Sequence, residues 1–236
     1  MFLAKQHIGN REIQQDCYFC TQNEHYGFAL VADGLGGIPV GDVASKTIAN
    51  VSQEILSGQI VSACNASFVL KNIFRTAHFR IKDLRAKGSI VGNSTFAALL
   101  CLEGIAYVLH CGDSRVYHFR GKKLLFATKD HSLAERLKHI KKTGTDFPKA
   151  PAKNILYRCL GDDNLARGEL TSFRLFASKD WFLICSDGFW GNITEEKLHL
   201  LYDKTNLTDE KLFNEALSNG APDCDNITFI ALYPNE

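Results

Sequence analysis

Five aspartates are candidates for one chemical site: three follow or precede apolar segments, one follows a polar segment, and one lies at a turn between two predicted strands. They are Asp16, Asp33, Asp113, Asp187 and Asp225. Asp33 follows the apolar run 30–32, and Asp187 follows the run 182–186. For Asp33 alone, a strand followed by a tight glycine turn explains the pattern equally well. Several carboxylates gathered at one place raise one another's pKa, and a divalent cation removes that cost.

The residue types near these acids suit metal ions held by oxygen ligands. Carboxylates favour Mg²⁺ or Mn²⁺, and the chain has no His-rich or Cys-rich set typical of zinc. Two such cations, about 3.5–4 Å apart, polarise a phosphoryl oxygen and activate a bridging water. Glycine after Asp33 would bring the Gly34 carbonyl to an ion, and the planar guanidinium of Arg11 suits phosphate oxygens. The predicted chemistry is direct hydrolysis by a metal-bridging hydroxide, because the motifs supply no nucleophile–base pair. Cys185 lacks the phosphate loop of cysteine phosphatases and is expected to be a core residue.

The composition favours one large domain without nucleic-acid or membrane contacts. Of 236 residues, 45% are hydrophobic, which allows a substantial core. The 27 basic and 26 acidic residues nearly balance, so the net charge favours neither nucleic acid nor an anionic membrane. No apolar run approaches the roughly 18–20 residues of a membrane span, and no signal peptide is visible. We therefore expect a cytoplasmic protein, a monomer, with structural cysteines and no disulfides.

Hydrophobic periodicity predicts the elements that position these aspartates. Two adjacent helices are expected, one from Asp42 as N-cap to about Ile55 and one over about 66–86. Two hairpins follow, turning at residues 103–104 and 121–123. Later helices are predicted over 132–142 (with Ser132 as cap), 194–202 and 208–218, and strands over 155–159, 167–176, 181–186 and 226–233. Because strands and helices do not alternate, we expect an α+β fold of antiparallel sheets with helices outside them.

Seven motifs in a fixed order resemble a known family. They are Arg11-x-x-x-Gln15-Asp16, Val31-Ala32-Asp33-Gly34-Leu35-Gly36-Gly37, Gly41-Asp42-x-Ala44-Ser45, Gly112-Asp113-Ser114-Arg115-x-Tyr117, Lys129-Asp130-His131-Ser132, Cys185-Ser186-Asp187-Gly188 and Asp225-Asn226-Ile227-Thr228. This set resembles the metal-dependent protein serine/threonine phosphatases, the protein phosphatase 2C family, in its compact bacterial form. The resemblance runs from about Gly9 to Thr228.

The resemblance implies a four-layer α/β/β/α sandwich, with two antiparallel β-sheets flanked by helix pairs, as a single catalytic domain over residues 1–236. It also implies two Mg²⁺ or Mn²⁺ ions and a possible third, weaker ion. The implied metal ligands are Asp16, Asp33, Gly34, Asp113, Asp187 and Asp225, and the implied catalytic residues are Arg11, Asp33, Asp187 and Asp225.

Roles for individual residues follow from the same resemblance. Asp33 bridges the ions, the Gly34 carbonyl serves the first ion, and Asp187 and Asp225 serve the second. Asp16 binds directly or through water, and Asp113 matches the acid that helps to hold the third ion. Arg11 matches the arginine that binds phosphate. Asn226 would orient Asp225 or a metal water, and His131 would pack or hydrogen-bond beneath the site.

Departures from the family pattern leave one step unassigned. Leu35 and Ile38 stand where relatives carry a histidine proposed as general acid, and Gln14 and Gln15 replace the usual Asn and frequent Glu. A metal-bound water would then protonate the leaving group.

A variable flap is expected at about 133–154, beside the site. Its many lysines and arginines would dock acidic or phosphorylated protein surfaces, or simply be solvated.

Three functions remain open at this stage. The chain is expected to hydrolyse phosphoserine and phosphothreonine in proteins, opposing a cognate serine/threonine kinase. It would otherwise be a pseudophosphatase that binds phosphoproteins, or a phosphatase for small metabolites.

Overall fold

The computed structural model describes residues 1–35, 40–141, 155–163, 167–176, 179–203 and 206–234. Gly36, Gly37, Ile38 and the predicted flap residues 142–154 lie outside these ranges. The described strands are β1 (Phe2–His7), β2 (Asp16–Gln22), β3 (Tyr26–Leu35), β4 (Asn93–Ser94), β5 (Phe96–Leu102), β6 (Ile105–Cys111), β7 (Arg115–Arg120), β8 (Lys123–Ala127), β9 (Glu169–Arg174), β10 (Asp180–Cys185) and β11 (Ile227–Leu232).

These strands form two sheets in which every described pairing is antiparallel. One sheet has the order β1-β11-β10-β7-β8, and the other has the order β2-β3-β5-β6-β9, with β4 paired to β3. The described helices are α1 (Gly41–Ser57), α2 (Ala66–Ala86), α3 (Leu133–Lys141), α4 (Asp187–Trp190), α5 (Glu195–Leu198) and α6 (Asn206–Gly220), with a 3₁₀ helix over His199–Asp203.

Three hydrophobic clusters hold four layers together. Along β3, Leu30 packs with α1 and α2, whereas its neighbour Val31 points between the sheets and packs with Ile184 and Ile230 of the second sheet. This is the period-two alternation of a strand with both faces buried. The third cluster lies where the last helices cover β10 and β11. The predicted α/β/β/α sandwich of antiparallel sheets is therefore confirmed.

Several predicted elements match the structure closely. Helix α2 spans Ala66–Ala86 as predicted, and Ser132 caps α3 by accepting a hydrogen bond from the Glu135 amide at 3.2 Å. The first hairpin turns at Glu103 and Gly104, with φ of 48° and 72°, the left-handed pair expected of a two-residue turn. All eight cysteines are free.

Three local predictions were wrong. Val40, not Asp42, is the N-cap of α1, and Asp42 lies in its first turn. The segment 155–159 forms only an isolated bridge, between Leu156 and Ser132, instead of a strand. The predicted helix 194–202 is split into α5 and a 3₁₀ helix. No helix in the described part of the chain is both long and apolar enough to cross a bilayer.

Candidate active site

At one end of the sandwich, the two sheets bring together several strand ends, and aspartates lie at or beside these ends. Asp33, near the end of β3, lies opposite Asp16 in the register of β2 and β3. Asp187 follows β10, and Asp225 precedes β11, the antiparallel neighbour of β10. Burial and the negative charges of the other four acids, with Asp16 and Asp187 contributing most, raise the pKa of Asp33 well above its usual value. All five predicted aspartates therefore belong to one electrostatic cluster, which we call the carboxylate cluster.

Asp16 and Asp187 each have one buried carboxylate oxygen without a partner among the described residues. The Ser186 hydroxyl donates to Oδ2 of Asp16 at 2.7 Å, while Oδ1 of Asp16 is buried without a hydrogen-bond partner. Burial raises the pKa of Asp16 to about 7. Burial and the charge of Asp225 raise the pKa of Asp187, whose Oδ1 is also buried and unpartnered. Each side chain thus has an oxygen lone pair that the described protein does not use.

The backbone of Gly34 is held against the start of α1. A Cβ at Gly34 would lie 2.2 Å from the Gly41 carbonyl oxygen, and a Cβ at Gly41 would lie 2.6 Å from Gly34. The Gly34 amide donates to the Gln15 carbonyl at 3.1 Å, and the Ser45 hydroxyl donates to the same oxygen at 2.5 Å. Only glycine fits at either contact, which explains why the Asp33-Gly34 and Gly41-Asp42 motifs occur together. The same contact places the N-cap of α1 two residues earlier than predicted, at Val40 instead of Asp42.

Asp113 lies on the turn between β6 and β7. Gly112 has a φ of 106°, and the Trp190 indole donates to the Asp113 carbonyl at 2.9 Å. Arg115 packs over the Trp190 ring, 3.4 Å from its centre, and pairs with both carboxylate oxygens of Asp130 at 2.8 Å. Burial, followed by the charge of Asp187, raises the pKa of Asp113 to about 7. The turn therefore presents Asp113 to the cluster on a fixed backbone.

Arg11 and Asp225 form the solvent-facing rim of the cluster. Nη2 of Arg11 donates to Oδ2 of Asp225 at 2.9 Å, and the side chains are 56% and 42% exposed. The Asn226 side chain accepts from the Gln15 amide at 2.7 Å and donates to the Ile8 carbonyl at 2.8 Å. Its backbone amide, not its side chain, contacts the Asp225 carboxylate. Asn226 therefore fixes the loop that carries Arg11.

His131 lies beneath the Gly112 turn, as predicted. Its Nδ1 accepts from the Gly112 amide at 3.1 Å, and its own amide donates to the Gly112 carbonyl at 2.9 Å. Its Nε2 faces Glu169 at 3.1 Å, and Arg158 pairs with the same carboxylate at 3.0 Å. Burial and then the nearby His110 lower the pKa of His131 to about 4.

The side chains present fit a hard divalent cation. The cluster offers carboxylate and carbonyl oxygens, two of its carboxylate oxygens are buried without a partner among the described residues, and the acids repel one another. This is the donor set that Mg²⁺ and Mn²⁺ bind.

Sequence reasoning missed three supporting residues. Thr95 accepts from the Asp33 amide at 2.9 Å and shares a 2.6 Å hydrogen bond with Ser114, and Trp190 anchors the Asp113 turn. Ser114 stands inside a family motif, whereas Thr95 and Trp190 have no sequence feature that marks them.

Comparison with known proteins identifies the family of this chain. Residues 4–219 match the family model described as Protein phosphatase 2C. The chain belongs to the protein phosphatase 2C family. The serine/threonine phosphatase stp of Listeria welshimeri is 28% identical over 219 residues, which cover 87% of this chain and 84% of that protein.

Two solved structures of the family share the fold. The serine/threonine phosphatase of S. agalactiae superimposes with a TM-score of 0.85 and 23% identity, covering 100% of this chain and 99% of the other. The catalytic domain of PstP, in complex with two manganese ions, superimposes with a TM-score of 0.81 and 22% identity, covering 100% and 98%. This protein phosphatase therefore has the family fold over its whole described length.

Proposed function

We propose that this protein phosphatase hydrolyses phosphoserine and phosphothreonine in proteins with Mg²⁺ or Mn²⁺. The observation that carries the proposal is the carboxylate cluster, with partnerless buried oxygens beside a half-exposed arginine. Repelling acids of raised pKa are costly to a fold and are retained where they serve a site. The family match over residues 4–219 and the stp relative support the same activity.

The cluster divides into positions for two ions and a weaker third. Asp33 would bridge two ions, with the Gly34 carbonyl on one side and Asp187 and Asp225 on the other, and Asp16 completing the set. Asp113 would contribute to a third position. When bound, two such ions supply charge stabilisation of phosphoryl oxygens and a water of lowered pKa.

The protein's own groups bind and orient the phosphoryl group. Arg11 presents its guanidinium at the rim, where Asp225 fixes one nitrogen and the remaining donors face solvent. A planar guanidinium binds two phosphoryl oxygens at once and so sets the in-line orientation. Ser186 holds Asp16 in one rotamer by its 2.7 Å hydrogen bond. Leu35, on β3 beside the site, has no proton to give, so water protonates the leaving serine or threonine oxygen.

The proposed biological setting follows from the substrate class. Phosphoproteins are the substrates, a serine/threonine kinase is the opposing partner, and the protein acts in the cytoplasm as a monomer without nucleic acid or membrane contacts. The near-zero net charge supports the last point.

The test is a metal-dependence assay on a phosphothreonine peptide. With Mn²⁺ we expect turnover that EDTA abolishes and that Asp187→Ala reduces by roughly 100-fold or more, the usual cost of losing one electrostatic group at a reacting centre. The paired control is Asp203→Ala, which replaces an exposed aspartate on the 3₁₀ helix. Binding of the phosphopeptide without turnover would overturn the proposal in favour of a pseudophosphatase. Turnover of small phosphorylated metabolites alone would overturn it in favour of a metabolite phosphatase.

A further inference from the structure

A groove of about 1030 Å³ runs along the outer face of α2. Its walls include Phe68, Lys71, Arg75 and Phe79 of α2, and it is closed on the far side by Leu109 of β6 and by Arg167. None of these side chains belongs to the carboxylate cluster. We call this feature the α2 groove.

The apolar part of the α2 groove consists of two aromatic rings left in solvent. Phe68 is 67% exposed and Phe79 is 51% exposed. Eleven residues separate them, which is three helical turns or roughly 16 Å on one face of the helix. Single exposed apolar residues are common, but two aligned along a concave surface are typical of an interaction site.

The α2 groove contains three basic side chains without a partner in the described part of the chain, beside Arg80 and Asp83, which also line the groove and are ion-paired. Lys71, Arg75 and Arg167 line it, and none has an ion-pair or hydrogen-bond partner within the described ranges. The next cations along α2 differ, because Arg80 pairs with Glu54 at 2.9 Å and Lys87 pairs with Asp83 at 2.6 Å. Three free cations between two exposed rings are complementary to a segment that carries both carboxylates and apolar side chains.

The α2 groove lies close to the turn that holds Asp113. Leu109 precedes Asp113 by only four residues, which span at most roughly 13 Å. Gly168, also in the groove wall, precedes Glu169, which contacts His131 beneath the turn. One substrate molecule is therefore able to place a segment in the α2 groove and its phosphate in the candidate active site at the same time.

We propose that the α2 groove binds an acidic, apolar segment of the phosphoprotein substrate, away from the phosphorylated residue. The inference rests on the proposed phosphatase activity. A concave surface that also presents the amide of Asn72 and the hydroxyl of Thr76 suits a polypeptide backbone better than a lipid surface. Such remote binding lowers the KM for long substrates and leaves turnover of small phosphate esters unchanged.

The test compares two phosphothreonine peptides that differ only in a tail. A Gly-Ser linker of about 12 residues, which spans roughly 20 Å, joins the phosphorylated core to a tail of alternating glutamate and leucine, or of serine and leucine. We expect a KM roughly tenfold lower for the glutamate tail, the size of effect given by three exposed charge pairs. The triple variant Lys71→Glu, Arg75→Glu, Arg167→Glu should abolish this difference. The double variant Phe68→Ser, Phe79→Ser should raise the KM for both tails, because both carry leucines.

Matched controls separate this proposal from the phosphatase activity itself. Lys123→Glu with Lys211→Glu reverses two exposed cations outside the groove and should keep the tail preference. All variants should hydrolyse p-nitrophenyl phosphate with Mn²⁺ at the wild-type rate. A wild-type protein without this activity would contradict the proposed phosphatase function and not the docking proposal alone. Equal KM values for both tails in the wild type would overturn the docking proposal. Two other results would also overturn it. In the first, the triple variant keeps the tail preference but no longer binds phosphatidylserine vesicles that the wild type binds. In the second, the triple variant keeps the tail preference but no longer forms concentration-dependent dimers that the wild type forms.

Discussion

Two groups of ionisable side chains lie near the Gly112-Asp113 turn, each mostly buried and each including one half-exposed acid. They differ in whether their polar atoms have hydrogen-bond partners. In the carboxylate cluster, like charges face one another and Asp16 and Asp187 each keep a buried oxygen without a partner. In the second group, His110, His131 and Glu169 have possible ligand atoms within 4.8 Å of one another. By spacing alone, this histidine group is also a metal site.

Hydrogen bonding distinguishes the two groups. Both nitrogens of His131 have partners, and Nε2 of His110 bonds the Lys129 carbonyl at 3.0 Å. The two imidazole rings stack 4.7 Å apart with 17° between their planes. The lone pairs of an imidazole lie in its ring plane, so two stacked rings cannot direct them at one ion. The histidine group is therefore internally satisfied and supports the turn, whereas the carboxylate cluster keeps unpaired oxygens, which bind cations in the proposed function.

The largest expected effect comes from Asp33→Asn. With Mn²⁺ the variant should lose roughly 100-fold or more in kcat, because it removes the acid that both ions would share. Without metal its Tm should rise, because one of the repelling acids loses its charge. Both quantities are measured on the same protein, by phosphopeptide turnover and by thermal denaturation in EDTA.

Asp180→Asn is the matched control for this prediction. Asp180 is also buried, but Arg120 pairs with it at 2.9 Å and the Phe176 amide donates to it at 2.6 Å. The variant should lose stability with or without metal and keep its Mn²⁺ dependence. A metal-free Asp33→Asn protein that melts below the wild type would show that the carboxylates are not mutually destabilising.

A smaller effect is the dependence of metal-free stability on pH. The pKa values of Asp16 and Asp113 are raised to about 7 in the fold, so the native protein binds protons more tightly than the unfolded chain. The stability from these protons is full below the unfolded pKa of about 4 and is lost as pH rises through about 7. In EDTA, the Tm difference between wild type and Asp16→Asn should therefore favour the variant increasingly from pH 4 to pH 7. A difference that is independent of pH would contradict the raised pKa of Asp16.

The sequence predicts the acids of the site better than their supports. Asp33 and Asp187 were predictable because an apolar strand, an acid and a glycine are consecutive in the chain, and the family motifs follow in order. The N-cap of α1 was not predictable, because the Gly34–Gly41 contact that sets the helix start joins residues from separate elements. The same holds for Thr95, whose hydroxyl meets the Asp33 amide only after β3 and β5 pair.

In residues 155–159, the sequence predicts a strand that the structure does not form. Residues 155–159 have strand-like composition, but Tyr157 and Leu160 bond to His131 and Ser94 separately. Arg158 within it pairs with Glu169. Its conformation is set by long-range contacts with the histidine group, and no local pattern encodes those contacts.

The smallest expected effect comes from Glu169→Gln, which tests the histidine group directly. Glu169 is half-exposed, and its charge raises the pKa of His131 against the stronger effect of burial. The variant should lower stability by less than about 1 kcal/mol, as for an exposed ion pair, and change kcat less than about twofold. Glu54→Gln, which breaks the exposed pair with Arg80, is the matched control. The Mn²⁺ concentration for half-maximal activity should match the wild type in both variants, because neither acid is a ligand. If Glu169→Gln raised that concentration and Glu54→Gln did not, the histidine group would belong to the metal centre, and a bound ion would replace the hydrogen bonds within the group.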